Sequence, residues 1–283
     1  MDLSYIIVNY RSSRDLVSCL HSILASDFKG SFEILVVDNS QGDSGIAIVE
    51  KMFPQIQLTI NPVNAGFAGA NNQAARQAQG RHLFFINPDV ELSPDTTRLL
   101  SEYLDAHPGT GAVGPKVLDP DGTLQYSCRR FPTLWSGLFN RYSLLTRLFP
   151  DNRFTREYLM TDWDHSSVRT VDWISGCCFM TPRDAFIESG MFDEQYFLFI
   201  EDVDLCRTLS GRGHDVVYNP ETTILHRISS SNQRIPFKCV VKQHQGMSYY
   251  HRKYMEGNLL SRTILDGLIA VRCGLQLALN VFR

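Results

Sequence analysis

The feature that most constrains this chain is the regular exchange of two hydrophobic periods over its first hundred residues. "LSYIIVNY" (3–10), "FEILVVDN" (32–39), "QLTIN" (57–61) and "HLFFIN" (82–87) are short, nearly continuous apolar runs of the kind buried on both faces of a sheet. Between them the period lengthens. Leu16, Cys19, Leu20, Ile23 and Leu24 recur at helical spacing, and a helical stretch around residues 46–53 is stopped by Pro54. The Ala-rich "QAARQAQ" reads as a helix closed by Gly80 at the C′ position, and Ser93-Pro94 as the cap and first residue of a helix reaching about Ala106. Strands alternating with helices predict an α/β fold: a mostly parallel central sheet covered by helices, with ligands gathered at the carboxyl ends of its strands. The residues at those ends are Asn9-Tyr10, Asp38-Asn39 and Asn87-Pro88-Asp89. They are polar and partly acidic, as in a nucleotide-binding half.

The rest of the chain is less regular. "KVLDPDGTLQYS" predicts a hairpin around Asp-Pro-Asp-Gly, and residues 131–168 read as a mobile insertion in which aromatics and arginines interleave. "HDVVYNP" and "TTILH" read as two further short strands, and a helical tail is expected over 236–282. A net charge of −3 and a pI near 6.2 leave no electrostatic footprint for nucleic acid. The seven cysteines have no framework spacing and read as reduced thiols of a cytosolic protein. The start lacks a basic n-region, so no secretory leader is expected. The most apolar stretch, near the C-terminus, contains Asp266 and Arg272 and is not expected to form an ordinary transmembrane helix.

Neither G-x-G-x-x-G nor the Walker pattern follows the first strand, so a bound nucleotide must be held by carboxylates and a metal rather than a glycine cradle. Asp38 suits a base N–H or ribose hydroxyl but equally caps a turn. "NPVNAGFAGANN" (61–72), with Asn64, Gly66 and Asn71, opens a helix whose N-terminus suits a diphosphate. Asp89, two residues beyond the end of a strand, suits a hard divalent cation shared with substrate phosphates but equally reads as part of a Pro-Asp turn. In "YFLFIEDVDLC" (196–206) an apolar run, expected to be a buried strand, drives into Glu201, Asp202 and Asp204. The dipole of a helix beginning there accounts for one acid, worth about 0.3–1 kcal/mol, and accounts poorly for three. A carboxylate beside low-dielectric walls has the raised pKa of a base for a substrate hydroxyl. Asp202 is the candidate and Glu201 the alternative. His226 ends "TTILH", and a lone histidine is more often structural than a ligand.

In order, "SYIIVNYRS", "ILVVDNSQGDSG", "NPVNAGFAGANNQA", "LFFINPDV", "GPKVLDPDGTLQ" and the long segment from "ISGCCFM" to "TTILH" resemble glycosyltransferase family 2, the inverting GT-A enzymes, in its bacterial rhamnosyltransferase-like branch. The likeness covers roughly residues 3–230. It implies a GT-A domain over 1–230, with a nucleotide-sugar half (1–115), an acceptor and catalytic half (116–230), and a C-terminal helical extension (231–283). Asn87-Pro88-Asp89 sits where the family has its metal-binding D-x-D. The resemblance therefore implies Asp89 and His226 as ligands of Mg²⁺ or Mn²⁺, with Asn87 in place of the first acid. It also implies Asp38 at the nucleoside, Asn9, Tyr10, Asn64, Gly66 and Asn71 around the donor, Asp202 of the Glu201-Asp202 pair as base, and Trp173, Ser175 and Gly176 at the acceptor. The implied donor is dTDP-L-rhamnose and the implied acceptor a saccharide or polyprenyl-diphosphate-linked saccharide of the cell envelope. UDP-galactofuranose, UDP-glucose or UDP-N-acetylglucosamine are alternative donors, and a silent carbohydrate-binding protein is an alternative of another class. A cytoplasmic protein is expected, and the apolar tail suits either the inner membrane surface or a partner subunit in a homo-oligomer.

Overall fold

The computed structural model describes residues 1–41, 44–133, 152–227, 236–254 and 259–281, and its middle layer is a nine-stranded sheet. Strands β1 (Leu3–Asn9), β2 (Phe32–Asp38), β3 (Gln57–Ile60) and β4 (His82–Ile86) run parallel in the order β3-β2-β1-β4. The sheet continues through β10 (Cys178–Pro182), antiparallel between β4 and β6 (Thr110–Leu118). Next comes β11 (Asp215–His226), parallel to β6, with β5 (Val90–Leu92) and β8 (Arg169–Thr170) antiparallel to it. A separate ribbon pairs β7 (Cys128–Arg129) with β9 (Trp173–Ile174).

Every residue of β1 is buried, and its side chains divide by strand period between two cores. Leu3, Tyr5 and Ile7 meet Leu16 and Leu20 of α1 (Ser13–Leu24) and Leu100 of α4 (Thr96–Ala106). Ile6 and Val8 join Ala70 and Ala74 of α3 (Gly66–Gln77), with Phe85, Phe179 and Phe192. Helix α2 (Ser44–Met52) lies beside α1. The short α5 (Arg153–Leu159) and α6 (Arg183–Glu188) precede α7 (Glu201–Gly211), α8 (Phe237–Tyr254) and α9 (Leu259–Val281).

Several expectations are corrected. Residues 196–200 are not a buried strand. They form an irregular loop in which Phe199 and Ile200 take left-handed backbone conformations, φ 67° and 74°, so that the chain can turn into α7. The two short strands after residue 214 are one, β11, whose register on β6 shifts between Asn219 and Thr223. Gly80 is not a C′ residue, since α3 ends at Gln77 with Ala78 as its cap. A Cβ at Gly80 would stand 2.4 Å from the Ser4 backbone nitrogen, so the glycine serves a close approach to β1. The Asp-Pro-Asp-Gly hairpin reduces to a single bridge between Leu118 and Leu124. Much of the expected mobile insertion, 134–151, lies outside the described residues.

Helix α9 is amphipathic the wrong way round for water. Asp266, Arg272, Gln276 and Asn280 lie on its half-buried or buried side, and Asp266 bonds Ser248 and pairs with Arg252 of α8 at 2.8 Å. Ile264, Leu268, Val271, Leu275 and Leu279 all face outward. The span Leu259–Asn280 is also long and apolar enough, by length and composition, to cross a membrane, contrary to the expectation drawn from its two charges.

Candidate active site

Three consecutive residues tie the two halves together. The Ser175 amide donates to the Ser127 carbonyl at 2.7 Å, beside the β7–β9 ribbon. The Gly176 amide donates to Asp202 Oδ2 at 2.9 Å, and the Cys177 carbonyl accepts from the Asn87 amide at 2.8 Å. Burial pushes the Cys177 thiol up to about 12, and the charges of both Asp89 and Asp202 add to that shift. The acidic end of β4 and the first turn of α7 therefore converge on one peptide segment, although 113 residues (202 − 89) separate the two aspartates in sequence.

The loop delivering Asp202 is held against its strain. Left-handed backbone at a non-glycine residue costs on the order of 1–3 kcal/mol, and Ile200 is β-branched. The surroundings offset this. The Phe67 amide donates to the Phe197 carbonyl at 2.9 Å, and α8 meets the loop at Gly246, where an added Cβ would touch the Tyr196 ring at 3.4 Å. The buried Tyr196 hydroxyl donates to Asp204 Oδ1 at 3.0 Å, and Lys253 on α8 bridges Asp204 and Asp193 at 2.9 and 2.7 Å. The third acid of the motif thus fastens the loop to α8.

The structure also separates the first two acids. Glu201 is 5% exposed and its Oε2 is buried without a hydrogen-bond partner among the described residues. Desolvation, reinforced by the Asp202 charge, raises its pKa well above the glutamate range. Asp202 is half-buried. Burial raises its pKa as well, opposed by the Gly176 and Val203 amides and by the charge of Arg129. Glu201 is the enclosed member of the pair and Asp202 the partly open one, so Asp202 is the carboxylate a substrate hydroxyl can reach.

Asp89 and His226 meet at the ends of β4 and β11, with Nε2 at 3.3 Å from Asp89 Oδ1. Gln125 fixes the imidazole. Its Nε2 donates to Asp119 Oδ1 (2.7 Å) and to the His226 carbonyl (2.8 Å), which leaves Oε1 as acceptor for His226 Nδ1–H at 3.0 Å. Nε2 faces a buried carboxylate oxygen that accepts no hydrogen bond among the described residues. An imidazole nitrogen and a carboxylate oxygen brought this close are a ligand set that fits a divalent ion. No group of three His, Cys, Asp or Glu side chains suited to a metal occurs among the described residues. Two protein ligands completed by substrate phosphates suit Mg²⁺ or Mn²⁺.

The other expected donor residues are placed unevenly. Asn9 and Asp38 are fully buried and bonded at 2.7 Å, at the ends of neighbouring strands. Tyr10 is half exposed beside them, with the Arg11 guanidinium over its ring. Asn64 Oδ1 accepts from the Gly66 amide at 2.8 Å, and Gly66, at φ 78°, passes so close to the loop that a Cβ would lie 2.6 Å from the Phe197 carbonyl. Asn71 is buried and spends its amide on the Phe67 carbonyl within α3. On the acceptor side Trp173 is buried, its Nε1 donating to the Arg130 carbonyl at 2.8 Å. Asn39, read from the sequence only as a polar strand end, holds Asn61 and the Gly66 carbonyl, and sequence reasoning missed Gln125 and Arg129. Only the position of Gln125 in "DPDGTLQ" could have flagged it.

Residues 4–188 match the family model for glycosyl transferase family 2. The chain is 29% identical over 265 residues to N-acetylglucosaminyl-diphospho-decaprenol L-rhamnosyltransferase of Mycobacterium tuberculosis, covering 88% of this chain and 85% of that one. It is 24% identical over 240 residues to rhamnosyltransferase WbbL of Escherichia coli, covering 81% and 85%. Among solved structures, GalNAc-T7 with UDP, GalNAc and Mn²⁺ aligns with a TM-score of 0.65 at 14% identity, over 96% of this chain and 55% of that one. The mannosyltransferase PcManGT from Pyrobaculum calidifontis, with GDP-Man and Mn²⁺, aligns with a TM-score of 0.60 at 17% identity, over 99% and 74%. At those identities the structural likeness establishes the GT-A architecture, and the sequence match carries the rest. This chain belongs to glycosyl transferase family 2 and is a glycosyltransferase.

Proposed function

We propose that the enzyme transfers L-rhamnose from dTDP-L-rhamnose to a hydroxyl of a saccharide carried on a polyprenyl diphosphate, inverting the anomeric centre in one displacement. The observation that carries the mechanism is the convergence of Asp202 and the Asp89–His226 pair on residues 175–177. The rhamnosyltransferases among the relatives support the sugar. The acceptor hydroxyl gives its proton to Asp202 as its oxygen bonds the anomeric carbon, and the bond from that carbon to the diphosphate oxygen breaks. A divalent ion held by Asp89 and His226 would neutralise the charge gathering on the leaving diphosphate. Asn9 and Asp38 form the floor beneath the nucleoside, and Trp173 backs the acceptor sugar.

The test is binding and slow hydrolysis of a panel of nucleotide sugars with and without Mn²⁺ or Mg²⁺. Metal-dependent cleavage of dTDP-L-rhamnose in preference to UDP-sugars is the expected result. Preference for a UDP-sugar would leave the residues in place and overturn the donor. The enzyme is placed at the inner membrane surface, on the support of the outward apolar face of α9. The full chain is then expected to float with vesicles of phosphatidylglycerol and phosphatidylethanolamine. A Leu268→Glu/Leu275→Glu variant should stay in solution, and flotation of both proteins alike would sink the placement.

A further inference from the structure

Arg129 has a setting that the mechanism above does not use. It is half-buried on β7, directly across the ribbon from Trp173, and its guanidinium lies 5.0 Å from the centre of that indole and 5.8 Å from the Tyr158 ring. Its Nε donates to the Tyr126 carbonyl at 3.0 Å. Among the described residues no carboxylate pairs with it, whereas its neighbour Arg130 is paired with Asp172 at 3.0 Å. The aromatic rings and the carbonyl hold the guanidinium, and among the described residues neither terminal nitrogen makes a hydrogen bond, so the fork keeps two donors for a bidentate anion. This preorganised cation is close enough for its field to act on Asp202.

The ribbon supplies a scale. Trp173, opposite Arg129, is three residues before Gly176, whose amide holds Asp202, so at most about 10 Å of chain separates the two positions. Guanidinium and base are thus set at the two ends of one short segment, residues 173–176. We propose that Arg129 anchors an anionic group of the acceptor, the phosphate on the anomeric oxygen of the sugar whose hydroxyl is attacked. The proposal rests on Asp202 being the base and on a diphosphate-linked acceptor. It assigns recognition of the acceptor's charge to one side chain. A lysine there would keep the charge and lose the planar fork.

The experiment compares two acceptors that differ only in charge, N-acetylglucosaminyl diphosphate on a short alkyl chain and the neutral alkyl N-acetylglucosaminide, using the full-length wild type, Arg129→Gln and Arg129→Lys. Arg129→Gln is expected to raise KM for the diphosphate acceptor about 10- to 100-fold, with Arg129→Lys intermediate. KM for the neutral acceptor should move less than about twofold on the same scale, leaving the two acceptors alike in the glutamine variant. Equal losses on both acceptors would overturn the proposal in favour of a role in positioning Trp173 or Asp202. A rise in donor KM instead would place the bound anion on the donor diphosphate and overturn it as well. If the wild type cleaves donor but glycosylates neither acceptor, the acceptor reading fails and takes this proposal with it.

Discussion

Asp202→Asn is expected to lower kcat by about 10²–10⁴-fold while donor affinity, read by calorimetry with metal present, stays within about twofold. The amide keeps the shape of the carboxylate and loses only its capacity to accept the proton. The neighbouring Glu201→Gln is the informative contrast. Glu201 is buried and desolvation raises its pKa, which favours the neutral form that glutamine mimics. Turnover should survive within about threefold on the same scale. The pH profiles should separate the two residues further. Asp202 is active when ionised and burial raises its pKa, so kcat in the wild type rises with pH through a limb displaced above the ordinary aspartate range. For stability the sign is opposite. A buried acid with a raised pKa contributes fully below its unfolded value, and that contribution is lost as pH climbs through the folded one. Glu201→Gln should therefore flatten the loss of stability toward alkaline pH. If Glu201→Gln is the dead variant and Asp202→Asn the live one, the base has been assigned to the wrong member of the pair.

Asp89→Ala should remove metal-dependent donor binding and cost about 10²–10³-fold in kcat/KM, the range seen when a main stabiliser of developing charge is lost. Asp89 is the one acid in Asn87-Pro88-Asp89, so no neighbour in the motif can substitute for it. Gln125→Leu should reproduce a weaker form of the same defect, about 10- to 100-fold in metal affinity, because an imidazole freed from its Nδ1–H bond samples the wrong tautomer and orientation. Titration of Mn²⁺ by electron paramagnetic resonance in the presence of dTDP reads both effects without turnover. Unchanged Mn²⁺ affinity in Asp89→Ala would remove Asp89 and His226 from the metal site.

How much of this was legible depends on which physical constraint wrote each feature. The parallel half could be read because a strand covered on both faces must be apolar at nearly every position, and β1, β2 and β4 are. The same signature misled at residues 196–200, where only Tyr196 is buried, Phe199 is exposed, and the run forms a loop rather than a ladder of hydrogen bonds. Neither Phe199 nor Ile200 is a residue that announces a left-handed turn. β11 was divided in two because Pro220 and Glu221 read as a break, whereas the irregularity on β6 absorbs them and the Glu221 amide bonds the Asn219 side chain at 3.0 Å. Of the site, the carboxylates were visible as charges placed where charge is costly. Gln125 and Arg129 were not, since the contacts that matter, His226 for one and Trp173 for the other, are far away in sequence and leave no local pattern.

The bond from the Phe67 amide to the Phe197 carbonyl, with Gly66 pressed against the same carbonyl, also bears on kinetic order. In the proposed mechanism the loop that opens α3 meets the donor and the loop it touches carries the base, so whatever steadies the first should also narrow the motion of the second. A nucleotide sugar settling beneath residues 64–67 would complete the surface on which Asp202 is aimed before any acceptor arrives. The expected consequence is an ordered reaction, donor first and acceptor second, which product-inhibition kinetics with the free nucleotide would read as competition with the donor alone.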